Sequence, residues 1–290
     1  MTHSVLPDAP APSHRRSLPH ISGLGTIGHL ALALVILFAL LAAFGPLLAP
    51  HPPNVVNLQK AYALPDASHL LGYDSQGRDL LSRLLHGART SFLGPLAIMI
   101  FSTTFGVVLA VWGAWRGGWI DAAVAGMLDA SMAFPGILLA VMAVAIFGPG
   151  LGSSVIALGI AYTPYMARVV RSAALREMSK DYVDSLRVQG VSAIAICGRH
   201  VIPNVMPLVT GQAALTLAWA TVDLAGLSYL GLGIQPPSAD WGVMVAGGQT
   251  GVLAGYPTEA IAAGVSLVVA ICSFSLLGER LLRRSEVDAA

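Results

Sequence analysis

Apolar residues in this chain come in long, nearly unbroken runs separated by short polar stretches. The runs are His29–Leu48, Ser91–Trp115, Trp119–Phe147, Ser153–Val170, Val205–Leu230 and Tyr256–Leu277. Each is close to or above the ~20 residues that a helix needs to cross a hydrocarbon core. The pattern predicts an all-α membrane protein of six transmembrane helices. The first run is too long for a signal-peptide core of about 7–15 residues. Pro46 and Pro50 at its end fit an uncleaved anchor. Two of the links are short and glycine-rich, Arg116-Gly117-Gly118 and Gly148-Pro149-Gly150-Leu151-Gly152.

Three polar stretches interrupt this pattern. Residues 50–89 contain Leu80, Leu81, Leu84 and Leu85 at helical spacing beside Arg78, Asp79 and Arg83. That reads as an amphipathic helix on the membrane surface, ended by Gly87. The interval Arg176–Asn204 is the longest charge-rich one between two runs, and it reads as two short helices hinged at Gly190. Val183 and Leu186 share one face while Asp181, Asp184 and Arg187 point elsewhere. Gly190 can take a positive φ and end the first helix. Ser192 is a candidate N-cap for the second, and Pro203 is expected to stop or kink what precedes it. Such an elbow is either a handle for another protein or an ordinary solvated loop. The third stretch, Gly231-Leu232-Gly233-Ile234-Gln235-Pro236-Pro237, turns the chain. It either rims a solute entrance or only connects, with Trp241 and Tyr256 placed for an interfacial aromatic belt.

Composition agrees with a bilayer setting. Of 290 residues 55% are hydrophobic and 11% charged, against about 25% charged in soluble domains. Mean hydropathy is +0.72. A net charge of +1 excludes the basic face that a nucleic-acid partner requires. Cys197 and Cys272 have neither metal-ligand nor redox spacing. With the N-terminus inside, twelve of the sixteen Lys and Arg residues fall in inner segments, including Arg116, Arg171, Lys180, Arg187 and Arg280. The positive-inside rule therefore places both termini and the elbow in the cytoplasm.

No phosphate-binding loop, metalloprotease helix or nucleophile elbow occurs in the chain. His200, beside Arg199, has no catalytic partner that the sequence identifies. Acids within apolar runs cost about 2.5–3.5 kcal/mol on insertion scales, so they face an interior, a partner or water. Asp129 and Asp223 are candidates for a polar solute path, or for simple hydration and helix–helix bonding. Glu259, near the start of the last run, fits a hydrated interfacial position better.

Several motifs in order resemble the peptide/nickel family of ABC importer permeases, the C-type subunit of dipeptide and oligopeptide systems. They are Leu71-Gly72-Tyr73-Asp74-Ser75-Gln76-Gly77-Arg78-Asp79 with Ser82-Arg83, Gly87-Ala88-Arg89-Thr90-Ser91, and Gly117-Gly118-Trp119-Ile120-Asp121 with Asp129 and Phe134-Pro135. Gly190, thirteen residues before Pro203, and Tyr229-Leu230-Gly231-Leu232-Gly233 with Gln235-Pro236-Pro237 and Trp241-Gly242 complete the set. Departures are Asp184-Ser185-Leu186 where the family's loop has Glu-Ala-Ala, Gly126 where an Arg often precedes the Asp129 position, and the lack of the usual Asp-Pro ending.

The resemblance implies a type I ABC importer permease fold in the cell (inner) membrane. Its parts would be a disordered cytoplasmic tail (1–27), a first span with an extracytoplasmic segment (28–89), a permease core (90–282) and a cytoplasmic tail (283–290). It implies a cytoplasmic coupling helix, in which Asp181, Tyr182, Val183, Asp184, Ser185, Leu186, Arg187, Gly190, Val191 and Ile194 dock an ATP-binding subunit. Asp129 and Asp223 would line the path. The chain itself would carry no cofactor and catalyse nothing, with ATP and Mg held by partner subunits. The partners would be a second permease, two ATP-binding subunits, an extracytoplasmic solute-binding protein and membrane lipid. The cargo would be di- or oligopeptides, or in the same family a nickel chelate or haem. A proton-coupled secondary transporter using the intramembrane Asp residues is the alternative, and the absence of visible inverted repeats argues against it.

Overall fold

The computed structural model describes residues 25–287, which are mainly helical. Ten helices follow in order: α1 Gly25–Leu48, α2 Leu80–Arg116, α3 Gly118–Met132, α4 Gly136–Phe147, α5 Leu151–Met178, α6 Asp181–Val188, α7 Ala193–Ile196, α8 Ile202–Tyr229, α9 Trp241–Leu253 and α10 Thr258–Val287. The expected tail over 1–27 lies outside the described residues except for Gly25–Ile27, which begin α1. Among the described residues four helical stretches are long and apolar enough to cross a membrane: α1, α2, the continuous Ala193–Tyr229 and α10. The α3–α4 pair makes a fifth if taken as one bent span. α5 is long enough, at 28 residues, or about 42 Å. Its Ser153, Ser154, Tyr162, Thr163, Arg168 and Arg171 make it too polar to qualify by composition.

Several sequence expectations are corrected here. The amphipathic Leu80–Leu85 stretch is not a separate surface helix, because α2 runs unbroken for 37 residues. Asp79 caps it, accepting the Ser82 N–H at 2.8 Å. Gly87 ends nothing: it lies mid-helix beneath the Trp241 indole, where a Cβ would sit 2.9 Å from Cδ1. The boundary placed at residue 89 therefore falls inside α2. The run Trp119–Phe147 is two helices bent by 82°, because Pro135 has no N–H to donate and disfavours helical backbone at Phe134. Pro203 stops nothing, since it occupies the first turn of α8, where a missing N–H is harmless. A five-residue π turn, Cys197–Val201, joins α7 to α8 without a break. α10 continues through the expected tail to Val287.

The stretch after Gln235-Pro236-Pro237 is not merely a connector, because it leads into the 13-residue helix α9. Trp241 is not in an aromatic belt. It is 3% exposed, meets Phe38 edge-on at 5.8 Å and donates its indole N–H to the Leu84 carbonyl at 2.9 Å. Phe274 joins this cluster from α10, 6.3 Å from Phe38. α1, the head of α2, α9 and α10 thus share one core.

Small residues set the closest helix approach. A Cβ on Gly211 of α8 would lie 2.9 Å from the Leu282 backbone nitrogen, and one on Gly278 of α10 would lie 2.9 Å from that of Leu215. Each helix thus offers a glycine to the other's leucine, the arrangement expected where packing rather than solvent exclusion holds helices together. Gly211→Val and Gly278→Val should each destabilise the solubilised chain by about 1–3 kcal/mol, as overpacking does. Gly264→Ala, where nothing lies within 4 Å, should not destabilise it, and helix propensity alone should raise stability by up to about 1 kcal/mol. Thermal unfolding in detergent checks all three, and equal melting temperatures would refute the close-packing account.

Candidate functional site

The elbow is built by local rules. α6 ends in a Schellman motif: Gly190 has φ +75°, the Val191 N–H bonds to the Leu186 carbonyl at 3.1 Å, and the Gly190 N–H bonds to that of Arg187 at 3.0 Å. Ser192 caps α7 as expected, its hydroxyl accepting the Ala195 N–H at 3.4 Å. The inward face is apolar. Val183, Ile196 and Val201 are completely buried against Val111 and Ala114 of α2 and Ala174 and Met178 of α5. The Arg187 guanidinium lies 4.7 Å above the Trp115 ring at the end of α2, a cation–π contact.

A polar node reinforces this packing. Glu177, at the end of α5, accepts the Tyr182 hydroxyl at 2.7 Å and the Asn204 amide at 2.7 Å, and it pairs with Lys180 at 2.6 Å. One carboxylate therefore ties α5, α6 and α8 together. Burial and the Glu177 carboxylate push the Tyr182 phenol up to about 12, so it stays protonated and keeps donating at physiological pH.

The outward face differs from the sequence expectation. Val183 is fully buried, so it anchors the elbow and meets nothing outside. Tyr182, Leu186 and Val191 are half-buried, while Asp181, Asp184, Ser185, Arg187 and Gly190 are exposed. Ile194 is 87% exposed, and Val188, which the sequence reading does not single out, is 88% exposed. Val188 was legible in principle: at 100° per residue it lies opposite Leu186, an apolar side chain off the buried stripe. Glu177 and Asn204 carry no sequence signal, because only the fold brings them together.

The two candidate path acids are separated. Asp129 pairs with Arg168 of α5 and lines neither cavity described below. Arg168 supplies the cationic neighbour that Gly126 does not. Its neighbour in the same interface, Arg171, grips Asp121 with two bonds of 2.6 Å. Asp223 instead accepts the Tyr162 hydroxyl at 2.8 Å in a cleft of about 470 Å³ lined by Phe134, Pro135, Tyr165 and Trp219. A more apolar cavity of about 590 Å³, lined by Phe101, Phe105, Met127 and Pro164, shares Ser131, Phe134 and Ala161 with it. The α3–α4 break shapes both.

At the far end of α2 the motif residues converge on a buried polar clasp. Asp74 accepts from Arg78 at 2.6 Å and lies 3.5 Å from Arg83. Arg83, only 1% exposed, also reaches Pro53, Asn54 and Pro237 at 3.2–3.4 Å. Ser91 bonds the Asp240 carboxylate at 2.8 Å and the Trp241 N–H at 3.0 Å. Glu259 is not hydrated: it is 4% exposed and lies in the field of Asp74, Arg83 and Arg78.

The chain is thus a multi-pass helical bundle with the elbow packed at one end and an aromatic cleft beside the α3–α4 break. Residues 102–286 match the family described as binding-protein-dependent transport system inner membrane component, and the chain belongs to that family. It is 34% identical to a putative peptide transport system permease protein of Brucella suis over 87% of this chain and 84% of that one. A di/tripeptide transport system permease protein of Pseudomonas aeruginosa is 34% identical, with 89% and 86% covered. A probable D,D-dipeptide transport system permease protein of Escherichia coli is 32% identical, with 85% and 82% covered. The fold is also that of the inward-facing MetNI methionine ABC transporter, at TM-score 0.53 and 22% identity, covering 71% of this chain and 96% of that one.

If the Glu177 node holds the elbow, Tyr182→Phe and Asn204→Ala should each cost about 1.5–3 kcal/mol of local stability, as hydrogen bonds to charged groups do. Amide exchange over residues 181–188 should then speed up about tenfold or more. Asp184→Asn, which breaks only an exposed pair with Arg187, should change it little.

Proposed function

We propose that this chain is one permease subunit of an ATP-driven importer of di- or oligopeptides. It forms half of the path and is moved through its 181–198 elbow. The observation that carries the reading is the elbow's two-sided character: Val183, Ile196 and Val201 are locked into the bundle, while Val188 and Ile194 stand out unpartnered among charges. A surface with that composition suits a groove on another protein. The peptide cargo is supported by the names of the relatives, and the aromatic cleft around Asp223 offers polar and π contacts to a peptide.

In this reading the bent α3–α4 pair and α5 each cross the bilayer, making six spans with α1, α2, α8 and α10. The termini and the elbow face the cytoplasm. Two features support that orientation. The elbow packs on Val111 and Ala114 near the end of α2, about 42–47 Å along that helix from Arg83 of the clasp. The Gly211–Leu282 contact brings the end of α10 to the elbow end of α8, next to Arg280. A second permease, two ATP-binding subunits that hold ATP and Mg and hydrolyse the nucleotide, and an extracytoplasmic solute-binding protein complete the machine. Shifting an access equilibrium from 1:99 to 99:1 takes about 5.5 kcal/mol of differential binding. With hydrolysis on the partners, that bias enters through the elbow. Asp129, already paired with Arg168, is ill suited to carry a proton.

Gly190→Pro should abolish uptake and the transport-linked rise in ATP hydrolysis while the chain remains in the membrane, because proline cannot adopt φ +75°. Val188→Asp and Ile194→Asp are exposed changes and should stay within about 0.5 kcal/mol of the parent in stability. They should nevertheless lower uptake at least tenfold by putting charge into the partner's groove. Uptake that survived all three changes, or proton-driven uptake by the reconstituted chain alone, would sink the proposal.

A further inference from the structure

The chain between α1 and α2 contains a second constellation that plays no part in the coupling or the cleft. His51 lies just past the end of α1, His69 sits in the intervening segment, and Asp79 caps α2. One donor atom from each lies within 4.8 Å of the other two. The His69 Nδ1 is 2.8 Å from Asp79 Oδ1, and the His51 Nδ1 is 3.9 Å from Asp79 Oδ2. We propose that these three residues form a binding site for one first-row divalent cation of the zinc type.

The donor set fits that class of ion. Two imidazoles and one carboxylate suit zinc, cobalt, nickel or copper rather than calcium or magnesium. Three protein ligands leave the fourth tetrahedral position to a water or an anion. Bonds of about 2.0–2.1 Å in tetrahedral geometry set ligand atoms about 3.3 Å apart. The two separations bracket that value, and a turn of the His51 ring brings its donor into range.

A second observation points the same way. The His51 Nδ1 is buried and has no hydrogen-bond partner, although the side chain as a whole is 34% exposed. A buried polar atom without a partner calls for a ligand. The His51 and His69 rings stack at 4.1 Å with 24° between planes. In-plane lone pairs of stacked rings do not converge, so His51 must rotate about χ2 to reach an ion shared with His69. The ion would replace the proton between His69 and Asp79, with His69 passing to its other tautomer.

The surroundings hold the donors in place, as outer contacts do in metal sites. Asp66 accepts the His69 N–H at 2.7 Å, and Ser82 Oγ accepts the His51 N–H at 3.0 Å. The Ser82 N–H fixes Asp79 at 2.8 Å, and the Tyr73 ring lies 4.4 Å from that of His69. The cations nearby are engaged: Lys60 donates to Tyr73 at 2.8 Å, and Arg78 is bonded to Asp74. A bound ion would staple the end of α1, the 50–79 segment and the start of α2, three parts of the chain with no covalent cross-link.

The test uses the full chain, purified in detergent without a histidine tag and stripped with a chelator. Titration with zinc chloride, followed by calorimetry, should give one ion per chain and a raised melting temperature. Cobalt(II) should give the intense visible bands of a four- or five-coordinate nitrogen–oxygen site. His51→Ala and His69→Ala should each weaken binding more than about tenfold and abolish the thermal shift, while His86→Ala should not. Asp79 is left alone because it caps α2. Absence of saturable binding, an octahedral cobalt spectrum, or binding untouched by both alanine changes would overturn the proposal. The last result would assign the ion to other histidines such as His3, His14 or His20. Should an alanine variant fail to accumulate, His51→Gln and His69→Gln replace it, and binding untouched by either glutamine change would overturn the proposal.

Discussion

The full burial of Val183, Ile196 and Val201 against the ends of α2 and α5 is the constraint on which the rest of this structure depends. A short helix joined to a bundle only by flexible links would absorb any push. One whose apolar face has no exposed surface must move with the helices beneath it, because protein interiors are close-packed and transmit strain. The Glu177 node adds direction to that packing. It links the end of α5, the elbow and the start of α8, so displacement reaches the two helices that contribute Tyr162 and Asp223 to the cleft.

At the opposite end the same problem is solved with charge. Asp74, Arg78 and Arg83 are nearly devoid of solvent, and a lone buried charge there would cost several kcal/mol. They are tolerated because Asp74 is bonded to Arg78 and the Arg83 Nη1 reaches Asn54 and the carbonyls of residues 53 and 237, while the Arg83 Nε, 3.5 Å from Asp74, is held by charge alone. Such a clasp contributes little net stability, but removing one partner would leave an uncompensated buried charge. The motif residues Ser91 and Trp241 meet there for the same reason. A bundle held at one end by a polar clasp and keyed at the other to an elbow is suited to rocking as helices rather than dissolving as loops.

Much of the candidate site could be read from the chain. Gly190 as a hinge and Ser192 as a cap follow from backbone chemistry that needs no neighbours, and both are present. Val183 was legible as part of an apolar stripe, but which way that stripe points is a tertiary matter, and it points inward. Val188 and Ile194, the outward apolar pair, differ from Val183 only in phase. The bend at Phe134-Pro135 was visible as a proline yet was read through, because a run of apolar residues outweighs one breaker when only hydropathy is counted. The helix α9 belongs to none of the long apolar runs, because it begins after two prolines and is rich in glycine. Its packing on α8 and α10 explains both why glycines are there and why they do not unravel it.

What the linear order of residues determined alone is whatever depends on local free energy: which stretches prefer lipid to water, where a helix can end, and the family whose motifs the chain carries. Partition and capping energies are short-range, so the sequence contains them in full. Which residues meet was decided only by the tertiary structure. Glu177 and Asn204, Arg168 and Asp129, and His51, His69 and Asp79 are far apart along the chain and carry no spacing that announces a pairing. Their contacts arise from the way glycine-lined helices approach one another, and that approach is a property of surfaces rather than of segments.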